Sequence, residues 1–204
     1  MRDIYQVRTA VVDDMQAIIG LINEAAEWLR TKGTDQWANP WPDNEARDGR
    51  VLRDLRAGRT WIVHDNSDLV GTITYGQEGS EILWTPDERR SPAVYICRLV
   101  ISRQCGGREI GAALINWAGK RGRQNWKAEF IRADVWTLNF ALHNYYKNEG
   151  FTHVRTCDFK DPWEYPSAAL FQKPTAEIDQ TAAALFKELN SASTDAAGTL
   201  SLQP

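Results

Sequence analysis

Apolar and polar residues alternate along the chain in two rhythms, one with the period of a strand and one with the period of a helix. Ile4-Tyr5-Gln6-Val7-Arg8 reads as a first strand. Asp13 or Asp14 then caps a helix whose apolar residues are Met15, Ile18, Ile19, Ile22, Ala25 and Leu29, and Gly33 stops it. A loop rich in aromatic, proline and polar residues, Thr34 to Pro42, leads to a charged helix over about 44–57 with Val51, Leu52 and Leu55 inward. Arg59–His64 and Leu69–Tyr75 read as paired strands around a hairpin loop at 65–68. Glu81-Ile82-Leu83-Trp84 precedes a polar loop over 85–91. Val94–Ile101 is a buried strand, and Phe130–Trp136 is another. Between them lies a helix with Ile110, Ala113, Leu114 and Trp117 on one face. A short helix from Asn139 carries Leu142, His143, Tyr145 and Tyr146 and ends at Gly150-Phe151. The last two strands, 154–159 and 168–173, flank an aromatic loop at 161–166.

This pattern divides the chain into one domain over 1–173, a helical extension over 174–190 and a tail over 191–204. Thr175 caps the extension, whose one face carries Ile178, Ala182, Leu185, Phe186 and Leu189. Ser, Ala, Thr and Gly dominate the tail, a composition that implies disorder.

Composition adds exclusions. With 43% hydrophobic and 25% charged residues, the chain of 204 residues is ordinary for a globular protein. The net charge of −3 is already accounted for by residues 174–204, so the domain is near neutral and has no basic stripe for nucleic acid. Cys97, Cys105 and Cys157 cannot all pair and form no metal-ligand spacing, which fits reduced thiols in a cytoplasmic protein. No run approaches the ~20 apolar residues of a membrane span.

Chemistry concentrates between Tyr95 and Phe151. A strand, then Gly106-Gly107-Arg108-Glu109-Ile110-Gly111, then a helix is an arrangement suited to anions. Glycines allow close backbone approach, and first-turn amides lack partners at the positive end of the dipole. Together with Leu99-Val100-Ile101 before it, and Asn139 through Tyr146 to Gly150-Phe151 after it, this stretch resembles the GNAT N-acyltransferase superfamily. A looser likeness extends from about Tyr5 to Lys173. Two positions depart from the family pattern: Gly106 stands where Arg or Gln is usual, and Glu109 stands where Gly is usual. No GxGxxG or P-loop lysine pattern supports another nucleotide-binding fold.

The resemblance implies an α/β (α+β) fold with a mixed, mostly antiparallel sheet of six to seven strands. It is splayed at a central parallel pair and flanked by about four helices. It also implies transfer of an acetyl group from acetyl-CoA to a primary amine of a small molecule, with no metal, by a monomer or homodimer. By the same resemblance, Leu99, Val100 and Ile101 hold the pantetheine arm and the thioester carbonyl. Gly106, Gly107, Arg108, Ile110, Gly111 and Ala112 take the pyrophosphate, and Asn139 and Leu142 border the arm. Tyr146 is the acid toward sulfur.

On the acceptor side, Trp37 and Trp41 either wall the ligand or tuck beneath their loop, and Glu81 and Trp84 are candidates beside the loop 85–91, which either closes over the acceptor or is a solvated charged loop. By type, Glu27, Asp35, His64, Glu81, Asp87 and Glu88 qualify as the base, and Asp134 is a candidate partner for Arg98. A non-catalytic acyl-CoA-binding member of the fold is the competing reading.

Overall fold

A computed structural model describes residues 5–159 and 165–189. The expectations for Ile4, for residues 161–164 of the aromatic loop and for the tail lie outside the described residues. The order is β1 (Tyr5–Thr9), α1 (Met15–Thr31), α2 (Asn44–Arg56), β2 (Thr60–Asp65), β3 (Asp68–Gly76), α3 (Pro86–Arg90), β4 (Ala93–Ile101), α4 (Ile110–Trp126), β5 (Phe130–Val135), α5 (Phe140–Asn148), β6 (Thr152–Thr156), β7 (Ala169–Pro174), α6 (Gln180–Ala183) and β8 (Phe186–Glu188).

The strands form one open sheet in the order β6-β7-β5-β4-β3-β2-β1-β8. Only β4–β5 and β1–β8 are parallel. Helices α1 and α2 cover one face, packing Ile18, Ile22, Val51 and Leu55 against Ile62 and Val100. On the other face α4 buries Ile110, Leu114, Ile115 and Trp117 among residues of the sheet, with Ile178 and Phe186 from the C-terminal segment.

Local chemistry explains most boundaries. Helix α2 starts where the Asp43 carboxylate accepts from the Ala46 amide at 2.8 Å. Asp14 does not cap α1 with its side chain; it accepts from the Val11 amide at 2.8 Å and from both guanidinium ends of Arg8, closing a 3-10 turn ahead of the helix. The β2–β3 hairpin is tighter than its polar run suggests, because Asn66 adopts φ 55° and reverses the chain between paired Asp65 and Asp68.

Two expectations are corrected. The polar stretch 85–91 holds a helix, Pro86–Arg90: Thr85 and Glu88 exchange the two bonds of a capping box, with Pro86 at the first helical position. Residues 175–189 are not one helix. They form a 3-10 turn, the four-residue α6 capped by Asp179, and β8. That strand satisfies the free edge of β1 through Tyr5 N–H to Leu185 O and Leu189 N–H to Val7 O, both 2.9 Å. Phe186 turns inward beside Tyr5 and Trp117. Among the described residues the sheet therefore has eight strands, one more than the sequence indicates, and six helices accompany it.

Candidate active site

The central parallel pair parts midway. Strands β4 and β5 pair from Ala93↔Phe130 to Ile96↔Ala133 and no further, while β4 continues along β3 as far as Gly71↔Ile101. A bulge drives the separation. Thr74 faces Cys97 but Thr72 faces Val100, so β4 spends one extra residue there. Arg98 sits in the bulge with φ 47°. A bulge bends its strand and increases local twist, which swings the end of β4 away from β5. Backbone groups of β4 beyond Ile96 consequently have no strand partner on the β5 side.

The left-handed backbone at Arg98 costs ~1–3 kcal/mol and persists because its surroundings fix it. Asp54, 7% exposed on α2, accepts from the Arg98 guanidinium and also from Arg59. Arg98 is thus paired with Asp54 and not with Asp134. The Asp134 carboxylate instead accepts from the Tyr165 hydroxyl at 3.3 Å.

The gap opens into a cleft of about 1290 Å³. Ordinary small-molecule sites measure ~300–1,000 Å³, so this one has room for an extended ligand and a second molecule together. Leu99, Val100 and Ile101 form one wall. Gly106, Gly107, Ile110, Gly111 and Ala112 form the end at the start of α4. Gly107 has φ 81° and nothing within 4 Å of the Cβ position, and the neighbouring Glu109 is also left-handed at φ 58°. At Gly111 a Cβ would lie 3.0 Å from the Tyr145 hydroxyl, so the glycine lets that ring rest on α4.

Arg108 departs from its expected place. It is absent from the lining and points across the surface to Asp65 at 3.2 Å. Arg103 does line this end, its guanidinium 3.8 Å from the Trp28 ring centre, and Lys32, 5.5 Å from the same ring, lines the cleft beside it.

Asn139, Leu142 and Tyr146 line the opposite wall. The Asn139 carbonyl oxygen accepts from the Leu142 amide at 3.0 Å, making it the N-cap of α5. Its amide donates to Gln36 at 2.6 Å, and both side chains are buried. Gln36, from the loop after α1, carried no signal in the sequence because its partner lies 103 residues away. The Tyr146 ring is wedged against Phe151 and Phe171, with centroids 5.1 and 5.9 Å away. Its hydroxyl makes no hydrogen bond among the described residues. Burial pushes its phenol well above the ordinary value, and the nearby Tyr145, Asp134 and Cys97 add to the effect.

Trp37 and Trp41 line the remaining end; Glu81 and Trp84 do not. Trp84 is 1% exposed, packed between Tyr95 and Arg132 as core, and exposed Glu81 pairs with Arg89 at 2.7 Å. None of Glu27, Asp35, His64, Asp87 and Glu88 reaches the cleft. Asp35 accepts from the Trp136 indole, and Glu88 is held by Arg155.

The carboxylates that line the cleft are Asp54, Glu78, Glu109, Asp134 and Glu149. Asp54 is saturated by two arginines, and Glu109 and Glu149 lie at the glycine-turn end. Glu78 is exposed. Asp134 alone stands where the strands part, one residue beyond the Ile96↔Ala133 pair. Burial pushes its carboxyl up to about 6, against opposing effects of Tyr165 and Arg98. Its signal in the sequence was a lone acid within the apolar run of β5.

An open mixed sheet, parted at its central parallel pair, with a glycine turn and a helix start at one end of the gap, defines an acyl-transferase class of fold. The profile of the Acetyltransferase (GNAT) family matches residues 22–151, and the chain belongs to that family. It is similar to the uncharacterized N-acetyltransferase YesJ of Bacillus subtilis, with 28% identity over 145 residues covering 70% of this chain and 78% of that protein. A GNAT-family acetyltransferase from Listeria monocytogenes shares its fold at a TM-score of 0.63 and 24% identity, over 83% of this chain and 94% of the other. The PaiA N-acetyltransferase of Thermoplasma acidophilum, solved in complex with coenzyme A, does so at 0.62 and 15%, over 83% and 98%.

Proposed function

We propose that the protein is an N-acetyltransferase that moves the acetyl group of acetyl-CoA to a primary amine of a small molecule by direct attack on the thioester. The observation that carries this reading is the parting of β4 and β5 beyond Ile96 and Ala133, which leaves backbone donors and acceptors facing an open cleft. Membership of the family and a neighbour of the same fold crystallised with coenzyme A support it.

Acetyl-CoA supplies an acyl group already activated as a thioester. The protein's part is to hold it, to stabilise charge on the carbonyl oxygen and to manage protons. Unpaired amides of β4 near Leu99–Ile101 donate to that oxygen as charge develops. First-turn amides of α4 at Ile110–Ala112 and the Gly107 turn receive the pyrophosphate. Arg103, with Lys32 beside it over Trp28, supplies positive charge at that end of the cleft. Asp134, largely ionised at neutral pH with its carboxyl near 6, takes a proton from the acceptor ammonium. The amine nitrogen then bonds to the carbonyl carbon as the carbon–sulfur bond breaks. Tyr146, held neutral by its raised value, gives its proton to the departing sulfur and regains one from the nitrogen. The products are an amide and the free thiol of coenzyme A.

Calorimetry with acetyl-CoA and a thiol-release assay over a set of amines test the reading. Tyr146→Phe keeps both ring contacts and removes a hydroxyl without a partner among the described residues, so melting temperature stays put while kcat falls about 10²-fold. An unchanged rate removes Tyr146 as the acid. One observation favours a second reading, a non-catalytic acyl-CoA-binding member: Glu109 lines the phosphate end while Arg108 faces away. Binding without turnover of any amine selects that alternative.

A further inference from the structure

Resting on the transferase reading, we propose that the acceptor bears a carboxylate as well as its amine, as an amino acid does, with the carboxylate held by Arg50 and the ammonium directed to Asp134. Arg50 reaches the cleft from α2. Its guanidinium lies 5.2 Å from the Trp41 ring centre and donates to the Trp41 carbonyl oxygen. It makes no ion pair with any described residue. Among the arginines lining the cleft from α2 and the sheet, Arg59 and Arg98 are both held by Asp54 and Arg47 by Asp48, while Arg53, without an ion pair among the described residues, is exposed where Arg50 is half-buried. A guanidinium carries five donors in a fork that matches a carboxylate, and Arg50 spends one on a neutral oxygen.

From Arg50 the wall runs continuously to an anion. The Trp41 ring meets Tyr165 edge-on with centroids 5.4 Å apart, and the Tyr165 hydroxyl donates to Asp134. A cation and an anion thus stand at the two ends of an aromatic strip, beside the point where the strands part. That arrangement matches a zwitterion whose apolar part lies on the rings. It opposes a polyamine, whose second ammonium would face Arg50 and Arg53. The fold shared with a spermidine N-acetyltransferase at 15% identity does not bear on the acceptor.

The test measures thiol release from acetyl-CoA with each of the twenty L-amino acids and with spermidine. The best amino acid is then compared with its methyl ester and its decarboxylated amine. The expected result is a kcat/KM about 10²-fold higher for the free acid than for the ester or amine, the loss typical of a charged hydrogen-bonding partner. Arg50→Gln brings the acid-to-ester ratio toward one, and Arg50→Lys restores part of it; the ratio is read within each variant, so a general loss of fold cannot mimic it. Equal use of acid and ester, a preference for spermidine, or turnover of no amino acid overturns the inference. If acetyl-CoA binds by calorimetry and a plain amine is acetylated while amino acids are not, the transferase reading stands and this inference alone fails.

Discussion

Asp54→Asn tests whether the bulge that parts the sheet is held from outside the sheet. Asp54 is 7% exposed and bonds two guanidinium groups, Arg98 in the bulge and Arg59 at the start of β2. Removing one member of a buried ion pair costs ~3–5 kcal/mol, because the other charge stays buried and unpaired. The Arg98 side chain is 18% exposed and falls in that class. Arg59, at 33%, is closer to a surface pair of ~0–1 kcal/mol and also lies 3.9 Å from Glu78, so it adds little. The expected loss is therefore ~3 kcal/mol or more. For a chain of this size that lowers Tm by ~6–12 °C. Acetyl-CoA affinity should fall with it, since Arg98 then has no anchor for its left-handed backbone and β4 can move toward β5. Denaturant melts and calorimetry measure the two quantities. The double replacement Asp54→Leu with Arg98→Met removes both charges and should recover much of the stability, though not the affinity. If Asp54→Asn melts within ~0.5 kcal/mol of the parent, the range of an ordinary surface change, the bulge is set by the strands alone and this account of the cleft is refuted.

Three further outcomes rest on the Asp134 carboxyl and the packing of α4. kcat/KM should rise with pH through about 6 as Asp134 loses its proton, and Asp134→Asn should abolish that limb along with most of the rate. The stability consequence has the opposite slope. The native carboxyl is raised above its ordinary 3.8, so the folded state binds more proton and stability falls as pH climbs from about 4 to about 6; melts of Asp134→Asn should lack that component. Separately, an alanine at Gly119 would place its Cβ 2.4 Å from Ile131 Cδ1 and 3.0 Å from Ile178 Cγ2. Overpacking of ~1–3 kcal/mol outweighs the ~1 kcal/mol helix gain at its upper end, so a net loss in denaturant melts is expected, and a stabilised variant would contradict the packing described for α4.

What could be read in the sequence was what neighbouring residues decide. The strands β4 and β5, the apolar face of α4, and the start of α5 after Asn139 all follow from local periodicity. The turn at 66–67 and helix α3 were blurred because polar residues signal a loop and a capping box alike until the Thr85–Glu88 geometry is seen. Strand β8 is illegible in the sequence for a different reason. Ile178, Ala182, Leu185, Phe186 and Leu189 have helical spacing, but the open edge of β1, some 180 residues earlier, offers Leu185 and Leu189 backbone bonds that an isolated helix cannot match. Asp54 was hidden in the same way: on α2 it lies three residues from Val51 on the inward face, and only the bulge in β4 explains a carboxylate there.

The cleft depends throughout on such distant pairings, and this bears on how it works. The loop between α1 and α2 carries Trp37 and Trp41, yet its Asp35 accepts from the Trp136 indole at 2.9 Å and its Gln36 from the Asn139 amide at 2.6 Å. Both anchors lie on the short connection between β5 and α5. That same connection follows Asp134 by one or a few residues and precedes Tyr146 by two turns of helix. The aromatic wall, the carboxylate and the phenol are therefore mounted on one frame, tied on the other side to β4 through Asp54 and Arg98. For the proposed transfer, a frame fixed at both ends would hold an amine against a carbonyl without a large closing motion, the pre-organisation that converts proximity into rate.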